Sequence, residues 1–128
     1  DGSLTTIHAN SPRDALTRLE HMVGMSGTPI PPLVVRQQIA AALNLLVDVE
    51  RLMDGRRVIT SISEITGMEE SVVNMQDIFR FNQKTVDEHG RVIGEFRATG
   101  IRPIMLKRFR ERGIVLDDTL FDPDRVYQ

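Results

Sequence analysis

The sequence has no cysteine, no tryptophan and a single tyrosine, and aromatic residues make up 5% of its 128 positions. Because a chain without thiols forms neither disulfides nor thiolate zinc sites, both kinds of cross-link are excluded. The scarcity of aromatic residues and the net charge of −2 argue against a general binder of nucleic acid or of anionic membranes. No apolar run approaches the roughly 18 residues that span a bilayer, and no signal-peptide pattern opens the chain. These absences are compatible with a cytoplasmic location.

The length and composition are those of one globular domain. A chain of 128 residues with 41% hydrophobic and 27% charged residues can bury a core, but it is too short for two typical domains. The first residues are Asp1 and Gly2 rather than methionine. We therefore expect one structural unit over residues 1–128, taken from a longer protein.

The opening stretch predicts a strand, a loop with a histidine, and a helix. Residues 4–7 are apolar and β-branched, which favours a buried strand. Ser11 is placed to cap a helix over residues 12–23, with proline at its first position and Asp14 in a capping-box arrangement. His8 then lies between strand and helix, where α/β proteins commonly hold ligands.

Further along the chain, the patterns predict a second helix and two strand pairs. The helix covers residues 33–43. An Asp54–Gly55 turn then joins strands 45–52 and 56–65. Counting from this turn predicts three facing pairs: Val47 with Ile62, Val49 with Thr60, and Arg51 with Val58. After a turn at 67–71, strands 72–81 and 92–97 flank a polar loop, 82–91, and this second ribbon is expected to extend from the body rather than continue the main sheet.

The last part of the chain predicts a helix followed by a short tail. The helix starts at Pro103, stops at Gly113 and carries basic residues over 107–112. These basic residues are expected to form a solvated helix face, and the alternative is an interface with a neighbouring subunit or an acidic partner. Residues 117–128 form a polar tail with one apolar cluster at Leu120 and Phe121.

Residues 5–20, TTIHANSPRDALTRLE, resemble the end of the His box in type II and type IV secretion-system ATPases, in particular the CpaF-like branch that assembles Flp/Tad pili. Four further segments are similar to the C-terminal half of that branch: 36–40 (RQQIA), 61–65 (SISEI), 76–79 (QDIF) and 96–103 (FRATGIRP). The resemblance therefore extends over essentially the whole chain. It implies an α/β fold that is the C-terminal part of a RecA-like P-loop ATPase domain, with β-hairpins and helices and truncated at its N-terminus.

The same resemblance implies a function and partners. Members of the family are hexameric ATPases that couple ATP hydrolysis to domain movement and so power pilus assembly or protein secretion. They work in the cytoplasm, peripheral to the inner membrane, on a platform protein of that membrane, and no direct contact with nucleic acid is expected. The residues keep two alternatives open: a non-enzymatic protein-interaction module, and an ATPase of a DNA-transfer or other secretion system.

The resemblance also implies roles for individual residues. His8, the catalytic candidate, would lie beside the nucleotide phosphates, where an imidazole N–H can donate to a phosphate oxygen or to a water. Thr6 and Arg36 are the other nucleotide-binding candidates, and Arg36 is also a candidate partner for Glu64. ATP and Mg²⁺ are expected in the full-length protein. Neither is expected on this chain alone, because it has no G-x-x-x-x-G-K-[ST] and no acidic Walker B strand.

Overall fold

The computed structural model describes residues 2–27 and 29–127. These residues form a mixed α/β fold in which each strand of a five-stranded sheet lies beside the strand before it in sequence. The elements in chain order are α1 (Pro12–Gly24), α2 (Pro32–Ala42), β1 (Leu45–Arg51), β2 (Arg57–Glu69), β3 (Val72–Val86), β4 (Val92–Ala98), α3 (Leu106–Glu111), a 3₁₀ helix (Asp118–Phe121) and β5 (Val126–Tyr127).

All strand pairs in the described residues are antiparallel. Helices and strands are both present, so the predicted mixed α/β class is confirmed. A RecA-like nucleotide-binding core is instead built on parallel strands, which need long crossover connections between them. Short turns join β1 through β4, and a longer connection that contains α3 leads to β5. The antiparallel sheet is thus not RecA-like in itself.

The helix predicted first is present, but the strand predicted before it is not. Residues 2–9 have no regular secondary structure, and Leu4 is fully exposed. A strand needs a hydrogen-bonded neighbour, and none of the described strands pairs with this segment. The start of α1 is as expected: Ser11 Oγ accepts from the N–H of Asp14 at 3.0 Å, and the Asp14 carboxylate accepts from the N–H of Asn10 at 3.0 Å.

The first strand pair is confirmed, although its register changes within the pair. Gly55 has φ +89° in the turn, and Val47 faces Ile62 as predicted. A register shift after Asp48 leaves Val49 opposite Ile59 and Arg51 opposite Arg57, so the other two predicted pairs were wrong by one residue. A bulge of this kind adds one unpaired residue to a strand, and simple counting from a turn does not reveal it.

The second strand pair continues the sheet, so the expectation of a separate ribbon was wrong. β2 runs on to Glu69, and Ile62 pairs with Phe79 across the β2–β3 junction. The expected polar loop 82–91 was also wrong in its first half, because β3 extends to Val86, which pairs with Val92. Only residues 87–91 form the turn, in which Asp87 accepts hydrogen bonds from two main-chain N–H groups.

Helices α1 and α2 cover one face of the sheet. The buried side chains of this layer come from both helices and from β2 and β3: Leu16, Val35, Ile39, Ile65 and Val73. Burying a side chain of this size contributes about 1.5–3 kcal/mol. The two predicted helices therefore have the apolar faces that their sequences indicated, and those faces build the larger of the two cores.

The opposite face of the sheet carries α3 and the C-terminal segment. Ile78, Leu106 and Phe121 form a second buried cluster there. Because successive residues of a strand point to opposite faces, Glu64 points to this side while the next residue, Ile65, enters the first core. α3 begins at Leu106 rather than at Pro103, whereas Gly113, with φ +79°, ends it as predicted.

Within the described residues, none of the helices is both long and apolar enough to cross a membrane.

Candidate functional site

His8 lies in the exposed segment that leads into α1. Its carbonyl oxygen accepts a hydrogen bond from Arg18 Nη1 at 2.8 Å, which ties the main chain at this point to the second turn of the helix. The side chain of His8 is exposed and has no hydrogen-bond partner among the described residues. The main chain of His8 is therefore held near the capped end of α1, and its imidazole is exposed to solvent.

The other polar residues of this segment are exposed as well. Thr5, Thr6 and Asn10 each have largely solvent-accessible side chains. Hydroxyl and imidazole groups can both donate hydrogen bonds to a phosphate oxygen. Thr6 and His8 thus supply two donors two residues apart in sequence, which form at most one side of an anion site.

Arg36 has different surroundings. Its Nε and Nη2 atoms donate to the two carboxylate oxygens of Glu20 at 3.0 and 3.1 Å, and its Nη1 donates to the carbonyl oxygen of Ser71 at 3.3 Å. The hydrogen bond and charge of Glu20 raise the pKa of Arg36. This bidentate pair joins α1, α2 and the turn between β2 and β3. No described contact brings Arg36 to Thr6 or His8.

Glu64 is buried, but Arg36, which was one candidate for its partner, pairs with Glu20 instead. Glu64 is only 2% exposed. Its carboxylate accepts a hydrogen bond from Gln76 Nε2 at 3.0 Å. It also accepts from the main-chain N–H groups of Ile104 and Met105 at 2.8 and 2.9 Å. Three donors compensate for the removal of this charge from water. Glu64 and Ile104 are 40 residues apart in sequence, so the local sequence around either residue gives no sign of this contact.

A second long-range contact was also missed. Asp54, in the first turn, accepts from the N–H of Val92 at 2.8 Å, and Arg56 donates to the carbonyl of Val92. The hydrogen bonds from Val92 and from Arg56 lower the pKa of Asp54. This contact joins the turn of the first hairpin to the start of β4. The D-G turn signal identified Asp54, but nothing in the sequence pointed to its distant partner.

Two clefts in the described residues lie elsewhere. One, of about 440 Å³, lies between α3 and residues 114–118, and another, of about 390 Å³, lies between the end of α1 and the start of α2. Neither is lined by Thr6, His8 or Arg36. Over residues 2–27 and 29–127, no group of three or more histidine, aspartate or glutamate side chains is arranged to hold a metal ion.

The candidate site thus consists of an exposed histidine with neighbouring hydroxyl groups, held in place by a capped helix. No protein-family model matches this chain, and the search of curated proteins gives no significant match.

Proposed function

We propose that this chain is the C-terminal part of the motor domain of a hexameric ATPase that powers pilus assembly or protein secretion. The observation that carries the proposal is the T-x-H-A-N segment, residues 6–10, followed directly by a capped helix that carries R-L-E. In this arrangement His8 is exposed, and its main chain is tied to α1 through Arg18. The His-box resemblance requires such a histidine at the mouth of a nucleotide pocket.

The free edge of β1 also supports the proposal. β1 pairs with β2 on one side only, and Leu45, Val47 and Val49 on one of its faces are 45–57% exposed. Exposed apolar edge strands invite pairing with a further strand, and proteins usually protect them with charge or proline. In the proposed motor, the upstream strands that carry the phosphate loop and the Walker B acid pair with this edge.

His8 and Thr6 then contribute one side of the nucleotide site. The imidazole N–H of His8 and the hydroxyl of Thr6 donate to phosphate oxygens or to a water bound to them. ATP supplies the phosphoanhydride whose hydrolysis drives domain movement, and Mg²⁺ would be held by the phosphate loop rather than by this chain. Arg36 is already paired with Glu20, so its role as a nucleotide ligand requires that this ion pair open.

The partners follow from the same proposal. The assembled motor is a cytoplasmic hexamer that works on a platform protein of the inner membrane. A non-enzymatic interaction module is the second candidate, and the cleft beside α3 favours it because that cleft combines apolar walls with arginine side chains. An ATPase of a DNA-transfer system would use the same site.

The decisive experiment starts from the coding sequence upstream of Asp1. We expect it to encode a phosphate loop and an acidic Walker B strand, whereas an initiator methionine just before Asp1 would refute the motor. In the full-length protein, we expect His8→Ala to lower kcat for ATP hydrolysis roughly 100- to 1,000-fold, because alanine offers no donor to the phosphate oxygens.

His89→Ala is the matched control, because His89 is exposed in the turn between β3 and β4. Equal activities of the two variants would contradict the role of His8. The 128-residue chain alone should show no saturable ATP binding by calorimetry. A micromolar site on it would show that the nucleotide pocket does not need the upstream half.

A further inference from the structure

The cleft between α3 and residues 114–118 has both apolar and basic walls. Leu106, Ile114 and Leu116 line it together with Arg102 and Arg110, and its volume is about 440 Å³. A space of this size holds several side chains of a ligand. The cleft is thus a concave, partly apolar surface with cationic groups at its edge.

The surroundings of the cleft concentrate positive charge. Residues 101–118 contain five lysine or arginine residues and three aspartate or glutamate residues, so the segment is net positive in a chain whose net charge is −2. Arg102 donates to Asp118 across the rim at 2.6 Å. Arg110, by contrast, has no ion-pair partner within the part of the chain that the structure describes. An acidic ligand would therefore find an uncompensated guanidinium directly beside apolar walls.

Apolar side chains surround the same region. Ile114 is 50% exposed and Val115 79%, although both are large aliphatic residues that line the cleft. Contiguous aliphatic exposure of this kind is characteristic of interaction surfaces, and isolated exposed residues are not. The aliphatic and basic residues thus belong to one surface, which we define as the α3 surface: residues 101–118.

We infer that the α3 surface binds an acidic, amphipathic segment of a protein partner, with aliphatic side chains in the cleft and carboxylates against Arg110. Charge complementarity selects the acidic partner, and the recessed walls at Leu106 and Leu116 select protruding side chains over a flat bilayer surface. The inference does not depend on the motor proposal, since it uses no nucleotide and no residue of the His8 segment.

A random peptide display library, panned against the whole chain, tests the partner's chemistry without assuming its sequence. We expect the enriched peptides to carry more Asp and Glu than Lys and Arg, with aliphatic residues three or four positions apart. Binding of the consensus peptide, followed by fluorescence anisotropy, should weaken with rising salt. Arg110→Glu combined with Val115→Asp should weaken it at least about tenfold, because it introduces like charges at the contact.

Arg91→Glu is the matched control, because Arg91 is exposed in the turn before β4. The affinity of this variant for the consensus peptide should stay within about twofold of wild type. Thermal melts of both variants verify that they remain folded. Failure to enrich peptides, or enrichment of peptides that bind the double variant equally well, overturns the inference. Co-sedimentation with phosphatidylglycerol vesicles that is lost in the double variant, without peptide binding, would assign the surface to a membrane instead.

Discussion

Glu64 provides the sharpest test of how the fold is held together. Its carboxylate accepts three hydrogen bonds, two of them from the main chain immediately before α3. Glu64→Ala removes all three acceptor contacts and leaves the donors without a partner inside the protein. Each unsatisfied buried donor costs about 1–3 kcal/mol, so three donors at the low end of that range already cost about 3 kcal/mol. We therefore expect a loss of about 3–5 kcal/mol in the free energy of unfolding.

The isosteric change Glu64→Gln separates hydrogen bonding from packing. A glutamine at this position keeps one acceptor oxygen but turns an NH₂ group towards main-chain N–H donors. We expect it to cost about 1–2 kcal/mol, which is less than the alanine variant because no cavity forms. Glu69→Gln, on the same strand but exposed, is the control and should change stability by less than about 0.5 kcal/mol.

Urea denaturation followed by circular dichroism measures these differences. With a slope of about 1–3 kcal/mol per molar urea, the glutamine variant should unfold at a midpoint lower by roughly 0.3–2 M. Amide hydrogen exchange at Ile104 and Met105 should accelerate in both variants, because their N–H groups lose the carboxylate. If Glu64→Gln were as stable as Glu69→Gln and exchange at residues 104–105 were unchanged, the carboxylate would not anchor α3 to the sheet.

Two further predictions concern the second hairpin and the turn that contacts it. Because hydrogen bonds from Val92 and Arg56 lower the pKa of Asp54, its contribution to stability is complete above its ordinary pKa of about 3.9 and is lost as the pH falls through the lowered value. The difference in Tm between wild type and Asp54→Asn should therefore narrow below about pH 4 in thermal melts, and a constant difference would contradict this origin. Gly94→Ala places a Cβ against the Phe81 ring and 2.8 Å from the carbonyl of Asn82, so it should cost about 1–3 kcal/mol by urea denaturation. Gly24→Ala, which meets nothing within 4 Å, is the control and should be neutral or slightly stabilising; equal losses for both glycines would refute the steric reason.

Elements with a local chemical signal were predictable from the sequence. The Ser11 cap, the Asp54–Gly55 turn and the stop at Gly113 each depend on contacts or dihedral angles within a few residues. Such signals act before any tertiary contact forms, so the sequence reveals them directly. The same holds for the positions of α1 and α2, which the structure places within one residue of their predicted ends.

The features that sequence reasoning got wrong depend on distant partners. Residues 4–7 have the composition of a strand, but a strand exists only where another strand pairs with it. The bulge after Asp48 and the continuity of β2 with β3 are likewise properties of paired strands. For the candidate site, the capped helix beside His8 could be predicted, whereas the engagement of Arg36 by Glu20 could not, because it joins two separate helices.

The three long-range contacts explain why the uncovered surfaces of this chain have defined shapes. Arg36 with Glu20 fixes α1 to α2, Asp54 with Val92 fixes the first hairpin to β4, and Glu64 fixes the start of α3 to the sheet. The free edge of β1 and the α3 surface are each adjacent to one of these contacts along the chain. These contacts restrain the main chain within a few residues of both surfaces. A preformed surface loses little conformational entropy when it is covered, so these contacts favour binding at both surfaces without belonging to either.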